Sequence, residues 1–337
     1  MKKLFLTLSM AALTLCGFSA MAQNDDSKLQ VTGTLFQHVG IGYDNDNDAW
    51  AKPGYELERA YFGARYTFDD NWQATIIFDA VEGAGNEHAF VKNAFVRYQK
   101  GNFSMKAGMI PTEQGLTSEK LWGYRYAYKS FYDAYGWGAS ADLGIELRYK
   151  FTDWFTAEAM MLNGEGFKNT QMDNHFLYTL GLTFKPIDGL TLRLYADIKT
   201  CDTDVYAFYF PVYKNYSKAQ ENLGLFAGYE NEMFNVGFEF NTQFNNEYFA
   251  GHDRTGISLF GTYKMNDKIN ILARYDHGAS KDNSDIANIV NWKHGKDCDV
   301  AMLGMQYKFN KFVSIAPIIR YNDQHEVYGY LSAKIAF

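Results

Sequence analysis

Between Lys28 and Phe337, apolar and polar residues alternate in runs of about ten, the strand length that crosses a bilayer at a tilt. The runs come in pairs. A tight turn joins two of them, and a longer polar stretch leads to the next pair. The C-terminal pair is the clearest: Val313, Ile315, Pro317, Ile319 and Tyr321 alternate with Ser314, Ala316, Ile318 and Arg320. After a break at 322–326, Val327, Gly329, Leu331, Ala333, Ile335 and Phe337 alternate with Tyr328, Tyr330, Ser332, Lys334 and Ala336. Period two places each set on its own face of a strand. The pattern predicts strands at 28–43, 55–68, 72–82, 88–99, 103–110, 141–151, 155–163, 176–185, 190–199, 220–230, 234–244, 254–264, 269–277, 298–309, 312–321 and 327–337.

Short turns with Asn, Asp or Gly chemistry stand at Asp69-Asp70-Asn71, Lys100-Gly101-Asn102, Thr152-Asp153-Trp154, Pro186-Ile187-Asp188-Gly189, Asn231-Glu232-Met233, Asn266-Asp267-Lys268 and Asn310-Lys311. Seven such turns and eight longer connections join sixteen strands, and an even count leaves both termini on the periplasmic side. The expected fold is all-β: a 16-stranded antiparallel transmembrane β-barrel with short periplasmic turns and longer extracellular loops. No composition shift divides residues 23–337, so one domain is expected.

Strand parity assigns the faces. Leu143, Ile145, Leu147, Tyr149 and Phe151 oppose Asp142, Gly144, Glu146, Arg148 and Lys150, and Leu190, Leu192, Leu194, Ala196 and Ile198 oppose Thr191, Arg193, Tyr195, Asp197 and Lys199. An Arg or Lys turned to lipid at mid-membrane costs about 2–4 kcal/mol, so the polar sets face the lumen. That inverts the rule for soluble barrels and points to a channel. The basic lumen set is then Arg59, Arg65, Arg97, Lys106, Arg148, Lys150, Arg193, Lys199, Arg274, Lys308, Arg320 and Lys334. The acidic set is smaller: Asp79, Asp142, Glu146, Glu158, Asp197, Glu239 and Asp276. A wall with this excess would favour anions, and a mixed-charge wall of weak selectivity is the plainer alternative.

The repeat stops at 111–140. This interval carries Trp122, Tyr124, Tyr126, Tyr128, Phe131, Tyr132, Tyr135 and Trp137 among Glu113, Glu119, Lys120, Arg125, Lys129 and Asp133. So many rings make a poor solvated tip. Folded into the barrel, the loop would bury them and form a constriction with Arg125, Lys129, Glu119 and Tyr124. An extracellular cap or an interface is the alternative.

The N-terminus has the form of an export signal. Lys2 and Lys3 precede an apolar stretch at 4–15, and Ala20-Met21-Ala22 fits a cleavage site, so residues 1–22 are expected to be a removed signal peptide. No other stretch approaches the ~18 apolar residues of a membrane helix. A mean hydropathy of −0.33 beside 17% aromatic residues suits a barrel, in which only alternate residues face lipid. Removing Lys2 and Lys3 takes the formal charge from −7 to −9, which argues against nucleic-acid binding. Cys201 and Cys298 would remain, and they could pair or stay free.

Four short segments carry a family resemblance: Glu58-Arg59-Ala60-Tyr61-Phe62-Gly63, Gly108-Met109-Ile110-Pro111 with Gly115 after it, Asp142-Leu143-Gly144-Ile145, and Asn163-Gly164-Glu165-Gly166. Through them the chain resembles the outer-membrane porins named after the phosphate-selective porins O and P. The resemblance implies a 16-stranded, commonly trimeric diffusion channel, with arginine ladders and lysine clusters in the phosphate-selective members. The strand at 176–185 departs from that pattern, since its inward set is Thr179, Gly181 and Thr183.

Other motifs carry little. Asp44-Asn45-Asp46-Asn47-Asp48 begins like a calcium loop, but Ala49 and Tyr55 stand where Gly and Glu are required. The seven histidines lack metal-pair spacing, and no G-x-S-x-G or P-loop occurs. No cofactor and no catalytic residue is expected, and the chain reads as a non-enzyme. Phe337, an aromatic ending an alternating strand, resembles the signal read by the outer-membrane insertion machinery. The expected function is an outer-membrane porin passing small hydrophilic solutes with a mild anion preference, assembled as a homotrimer among outer-membrane lipids. A phosphate-selective porin is the runner-up, and an outer-membrane enzyme or adhesin barrel is the reading from another class.

Overall fold

The computed structural model describes residues 28–44, 49–50, 53–82, 87–171, 173–200, 219–281, 297–323 and 326–337. The expected signal peptide, Cys201 and the centre of the 44–48 acidic stretch lie outside them. The strands are β1 (Leu29–Asp44), β2 (Ala49–Trp50), β3 (Gly54–Thr67), β4 (Trp72–Glu82), β5 (Glu87–Lys100), β6 (Phe103–Pro111), β7 (Ala141–Lys150), β8 (Phe155–Leu162), β9 (Leu177–Phe184) and β10 (Leu190–Lys199). They continue as β11 (Gln220–Glu230), β12 (Phe234–Phe244), β13 (Arg254–Lys264), β14 (Ile269–Ser280), β15 (Cys298–Lys308), β16 (Val313–Asn322) and β17 (Glu326–Ala336). β2 only extends the end of β1, through Tyr43↔Trp50 and Asp44↔Ala49. The other sixteen form the wall. Each pairs antiparallel with its chain neighbours, and β1 closes on β17 from Thr34↔Ala336 to Asp44↔Glu326. Closure leaves no free edge, which is the condition for a sheet to cross lipid.

The alternation anticipated these ends closely. The largest departure is β14, which runs on to Ser280 because Gly278, Ala279 and Ser280 keep pairing with Gly256, Thr255 and Arg254. Beyond the bilayer no lipid face enforces alternation, so a ladder can continue where the pattern stops.

Four of the seven short turns share one device. The side chain of Asp69 accepts from the amides of Asn71 and Trp72 at 2.8 and 2.9 Å, and Asn231, Asn266 and Asn310 repeat the arrangement in their own turns. Around this end stand outward aromatic groups: Phe155 stacks on Phe184 at 4.9 Å, Phe151 on Phe155 at 5.2 Å, and Trp72 meets Tyr98 at 4.8 Å. They form the girdle expected at a membrane interface. The Phe337 ring covers Gly33 at the β1–β17 seam, where the two residues exchange backbone hydrogen bonds of 2.9 Å.

The faces separate as lipid demands. Along β7, Leu143, Ile145 and Leu147 are exposed, whereas Glu146 between them is fully buried. No helix among the described residues is long and apolar enough to cross a membrane. A closed sixteen-stranded wall with an apolar outside and charged inside is a Gram-negative outer-membrane β-barrel.

Candidate functional site

What fills the lumen is the segment between β6 and β7. It contains two short helices, α1 (Leu116–Trp122) and α2 (Phe131–Ala134). Trp122, Tyr124, Tyr126 and Ala127 pack with Phe36, Phe226, Phe260, Leu272, Met302, Ala316 and Ile318, which are inward residues of β1, β11 and β13–β16. Hydrogen bonds fix the same flank. Asn270 donates to the Tyr124 hydroxyl at 2.8 Å, Gln306 to the Tyr126 hydroxyl at 2.7 Å, and Tyr330 to the Ala127 carbonyl at 2.9 Å. Arg254 reaches the carbonyls of Tyr135 and Gly136 at 2.9 and 2.7 Å. A second aromatic cluster holds α2: Phe131, Tyr132, Tyr135 and Trp137 with Tyr195 of β10. Tyr132 fits between Gly115 and Gly138, where any Cβ would overlap its ring or hydroxyl.

The segment therefore lies against β10–β17 and leaves open space toward β3–β5. Its free flank presents Glu119, Arg125, Lys129 and Asp133, and the facing wall presents Glu58, Arg59, Asp79 and Lys92. Arg125 bridges Glu119 at 3.0 Å and Asp133 at 2.7 Å, Lys129 lies 3.7 Å from Glu58, and Arg59 binds Asp79 at 2.9 Å. Burial works against the charge of Arg125, but Tyr61, Asp133 and Glu119 outweigh it and leave the guanidinium more basic than usual. Asp133, which burial alone would raise, is held below the usual carboxylate range by Arg125. Tyr124 does not face this gap, being buried against the opposite wall.

Glu58 and Lys92 break strand parity, which would turn both to lipid. Each sits at a β-bulge: the register of β1 on β3 passes from Arg59 to Leu57, and that of β4 on β5 from Asn93 to Val91, skipping Glu58 and Lys92. The extra residue re-aims its side chain inward, so Lys92 reaches the Tyr61 hydroxyl at 3.4 Å. A charge on a nominally lipid-facing position was the available signal for each bulge.

Where the loop leaves β6, four charges close a ring. Lys106 binds Glu113 and Glu146, each at 2.8 Å, and Arg148 binds Glu113 at 2.7 Å and Glu146 at 2.9 Å. Burial would push the Glu113 carboxyl up, but Arg148 and Lys106 outweigh it and hold it at about 2, against an ordinary 4.5. A carboxylate held low contributes its stabilisation in full above about pH 4.5 and loses it as the pH falls toward 2. Acidification through that window is expected to loosen the loop root and raise current noise in planar bilayers. Glu113→Gln should show the noise already at neutral pH, and a variant with the wild-type acid response would refute this role.

The other sequence-predicted residues are distributed over the height of the barrel. Arg193 pairs with Glu158, Arg274 with Asp276 at 2.6 Å, and Lys199 with Glu165 at 3.0 Å. Lys150 binds Asp153 beside a periplasmic turn, and Arg97 bonds Gln99. Arg65 is exposed with no ion pair among the described residues. Arg320 lies between the rings of Tyr128 and Tyr328, 4.8 and 4.7 Å from their centroids. Arg254, on the predicted edge of a loop, was not among the expected lumen residues.

Solved outer-membrane channels share this fold. The channel DcaP of Acinetobacter baumannii superposes with a TM-score of 0.69 at 12% identity, over 95% of this chain and 99% of its own. An anion-selective porin from Comamonas acidovorans gives 0.65 at 10% identity, over 92% and 99%. OmpT of Vibrio cholerae with loop L8 deleted, an outer-membrane protein, gives 0.63 at 16% identity, over 92% and 99%. No family model matches the chain, and no curated protein does. The resemblance to phosphate-selective porins is thus supported at the level of the porin fold. The expectation of a non-enzyme is corrected: OmpT stands among the similar structures, and a likeness at 15–16% identity carries the fold and leaves activity open.

Proposed function

We propose that this barrel is a passive diffusion channel for small hydrophilic solutes, with a mild preference for anions. A sixteen-stranded wall is too wide for its own side chains to fill. Beside the inner loop it keeps spaces of about 470, 430 and 330 Å³, whose linings mix charged, polar and apolar groups.

The observation that carries the anion preference is which lumen charges are left over. Among the described residues Asp142, Asp197 and Glu239 have no ion pair but are buried, accepting from the Leu143 and Gly164 amides, from Asn222 and from Asn241, whereas Glu56, also without one, is exposed. The lumen bases without an ion pair among the described residues, which include Arg65, Lys92, Arg97, Lys308, Arg320 and Lys334, are at least partly exposed. The field that a solute meets is then more basic than the composition of the chain. Reversal potentials in a potassium chloride gradient are expected to show chloride favoured over potassium, and a cation preference would overturn the assignment.

Phosphate selectivity would draw on a continuous ladder of free bases, whereas Arg59, Lys106, Arg148, Arg193 and Arg274 are each engaged by a carboxylate. Block of chloride current by low phosphate would support that narrower reading. In this proposal the chain is one protomer of a homotrimer, a form in which OmpT of Vibrio cholerae has been solved. Residues 1–22 act as its export signal, residues 111–140 as its constriction loop, and Phe337 as part of the signal for the insertion machinery.

A further inference from the structure

On the extracellular side of the inner loop, a space of about 470 Å³ opens between Tyr128 and Lys129 of the loop and the ends of β1, β3, β16 and β17. Its wall includes Glu56, Glu58, Arg320, Tyr328 and Tyr330. Here an unengaged base and an unengaged acid line one cavity. Arg320 makes neither a hydrogen bond nor an ion pair among the described residues; its contacts are the flat faces of Tyr128 and Tyr328. Stacking of that kind fixes the guanidinium plane and leaves its N–H edge available, the geometry that takes a carboxylate through two parallel hydrogen bonds. The stack continues behind it: Tyr128 also covers Arg274 at 4.9 Å, and Arg274 reaches Trp122 at 5.5 Å. Arg320 is thus held at the end of an ordered row rather than swinging freely.

Glu56 is the counterpart. It is exposed on the inward face of β3 and has no hydrogen bond or ion pair among the described residues. Glu58, beside it, already has Lys129 at 3.7 Å and Arg59 at 4.0 Å. One cavity therefore holds an unengaged anion and an unengaged cation that do not pair with each other. Separated opposite charges of this kind complement a molecule that carries both signs at its two ends.

We propose that this vestibule is a binding subsite for zwitterionic solutes, amino acids or short peptides, with the carboxylate on Arg320 and the ammonium group on Glu56. The tyrosine rings then supply apolar contact for the intervening atoms. This goes beyond charge-weighted diffusion, because a neutral or singly charged solute of the same size engages at most one of the two groups.

The test uses the full-length chain refolded in detergent, titrated calorimetrically with glycylglycine and with its N-acetylated, C-amidated and doubly blocked forms. Glycylglycine is expected to bind about tenfold more tightly than the doubly blocked form. Each single block should remove part of the margin. Glu56→Gln and Arg320→Gln should each shrink it, by about as much as the matching single block, while Lys185→Gln, outside the vestibule, should leave it intact. Equal affinity for the free and doubly blocked peptides in the wild-type protein would overturn the subsite, and so would an undiminished margin in either vestibule variant. The blocked-peptide series decides the matter even where a variant fails to refold. Planar-bilayer recordings separate this from the channel reading: a margin in a protein that never conducts supports the subsite and refutes diffusion, and conduction without a margin does the reverse.

Discussion

Replacing Trp122 and Tyr126 together with alanine is expected to raise single-channel conductance severalfold and to make the open level noisy. Both rings are almost completely buried, against Phe260 at 5.4 Å for Trp122 and Phe36 at 6.1 Å for Tyr126. Truncating a buried aromatic costs about 3–5 kcal/mol in a well-packed core, and here that packing is what holds the loop to one wall. The barrel ladders do not depend on it, because backbone hydrogen bonds close them strand to strand. The cost therefore falls on loop docking rather than on the fold. The loop stays attached through the Glu113 ring of charges and the Arg254 bonds to Tyr135 and Gly136, so it should fluctuate across the lumen instead of leaving it. Unchanged conductance in a barrel that still shows heat-modifiable migration would mean that the loop lies off the conduction path.

Glu158→Ala is expected to destabilise the barrel by about 3–5 kcal/mol, the usual cost of stripping one partner from a buried pair. Arg193 and Glu158 are among the least exposed charged side chains of the wall, at 2% and 1%. Arg193 is held from the other side by the Thr183 hydroxyl at 2.9 Å. Gly181 lies beneath them, and a Cβ there would overlap the Glu158 carboxylate. With Glu158 gone, Arg193 keeps its charge in a site shaped for a partner. Replacing both residues with methionine should recover most of the loss, because a pair of apolar side chains removes the unpaired charge. Urea unfolding followed by tryptophan fluorescence in lipid vesicles measures both variants. A single variant as stable as the wild-type protein would show that lumen water solvates Arg193.

Much of the barrel was legible because lipid imposes a rule on every strand. An outward position must be apolar, so period two survives along the chain and marks the sixteen wall strands within a few residues. The lumen imposes no comparable rule. Parity placed Arg59, Arg148, Arg193 and Arg274 inward, yet it held nothing about their engagement by Asp79, Glu113, Glu146, Glu158 and Asp276. Arg59 and Asp79 join neighbouring strands, Arg193 and Glu158 meet across β9, Arg148–Glu146 and Arg274–Asp276 are same-face neighbours on one strand, and Glu113 comes from the loop. The aromatic content of 111–140 signalled burial, but not against which wall. A readable sign of the receiving wall was the shift of inward positions from polar to apolar at Phe226, Phe260, Leu272, Met302 and Ile318.

By itself, then, the sequence determined the strands, their faces and the irregular interval, because a strand's period and the cost of charge in lipid act residue by residue. The tertiary structure decided which charges remain unspent. Bulges at Glu58 and Lys92 reverse a face that local alternation assigns, and the stacking of Arg320 between Tyr128 and Tyr328 joins residues nearly two hundred positions apart. Charge in a lumen is a property of distance in space, and only barrel closure and loop docking set those distances.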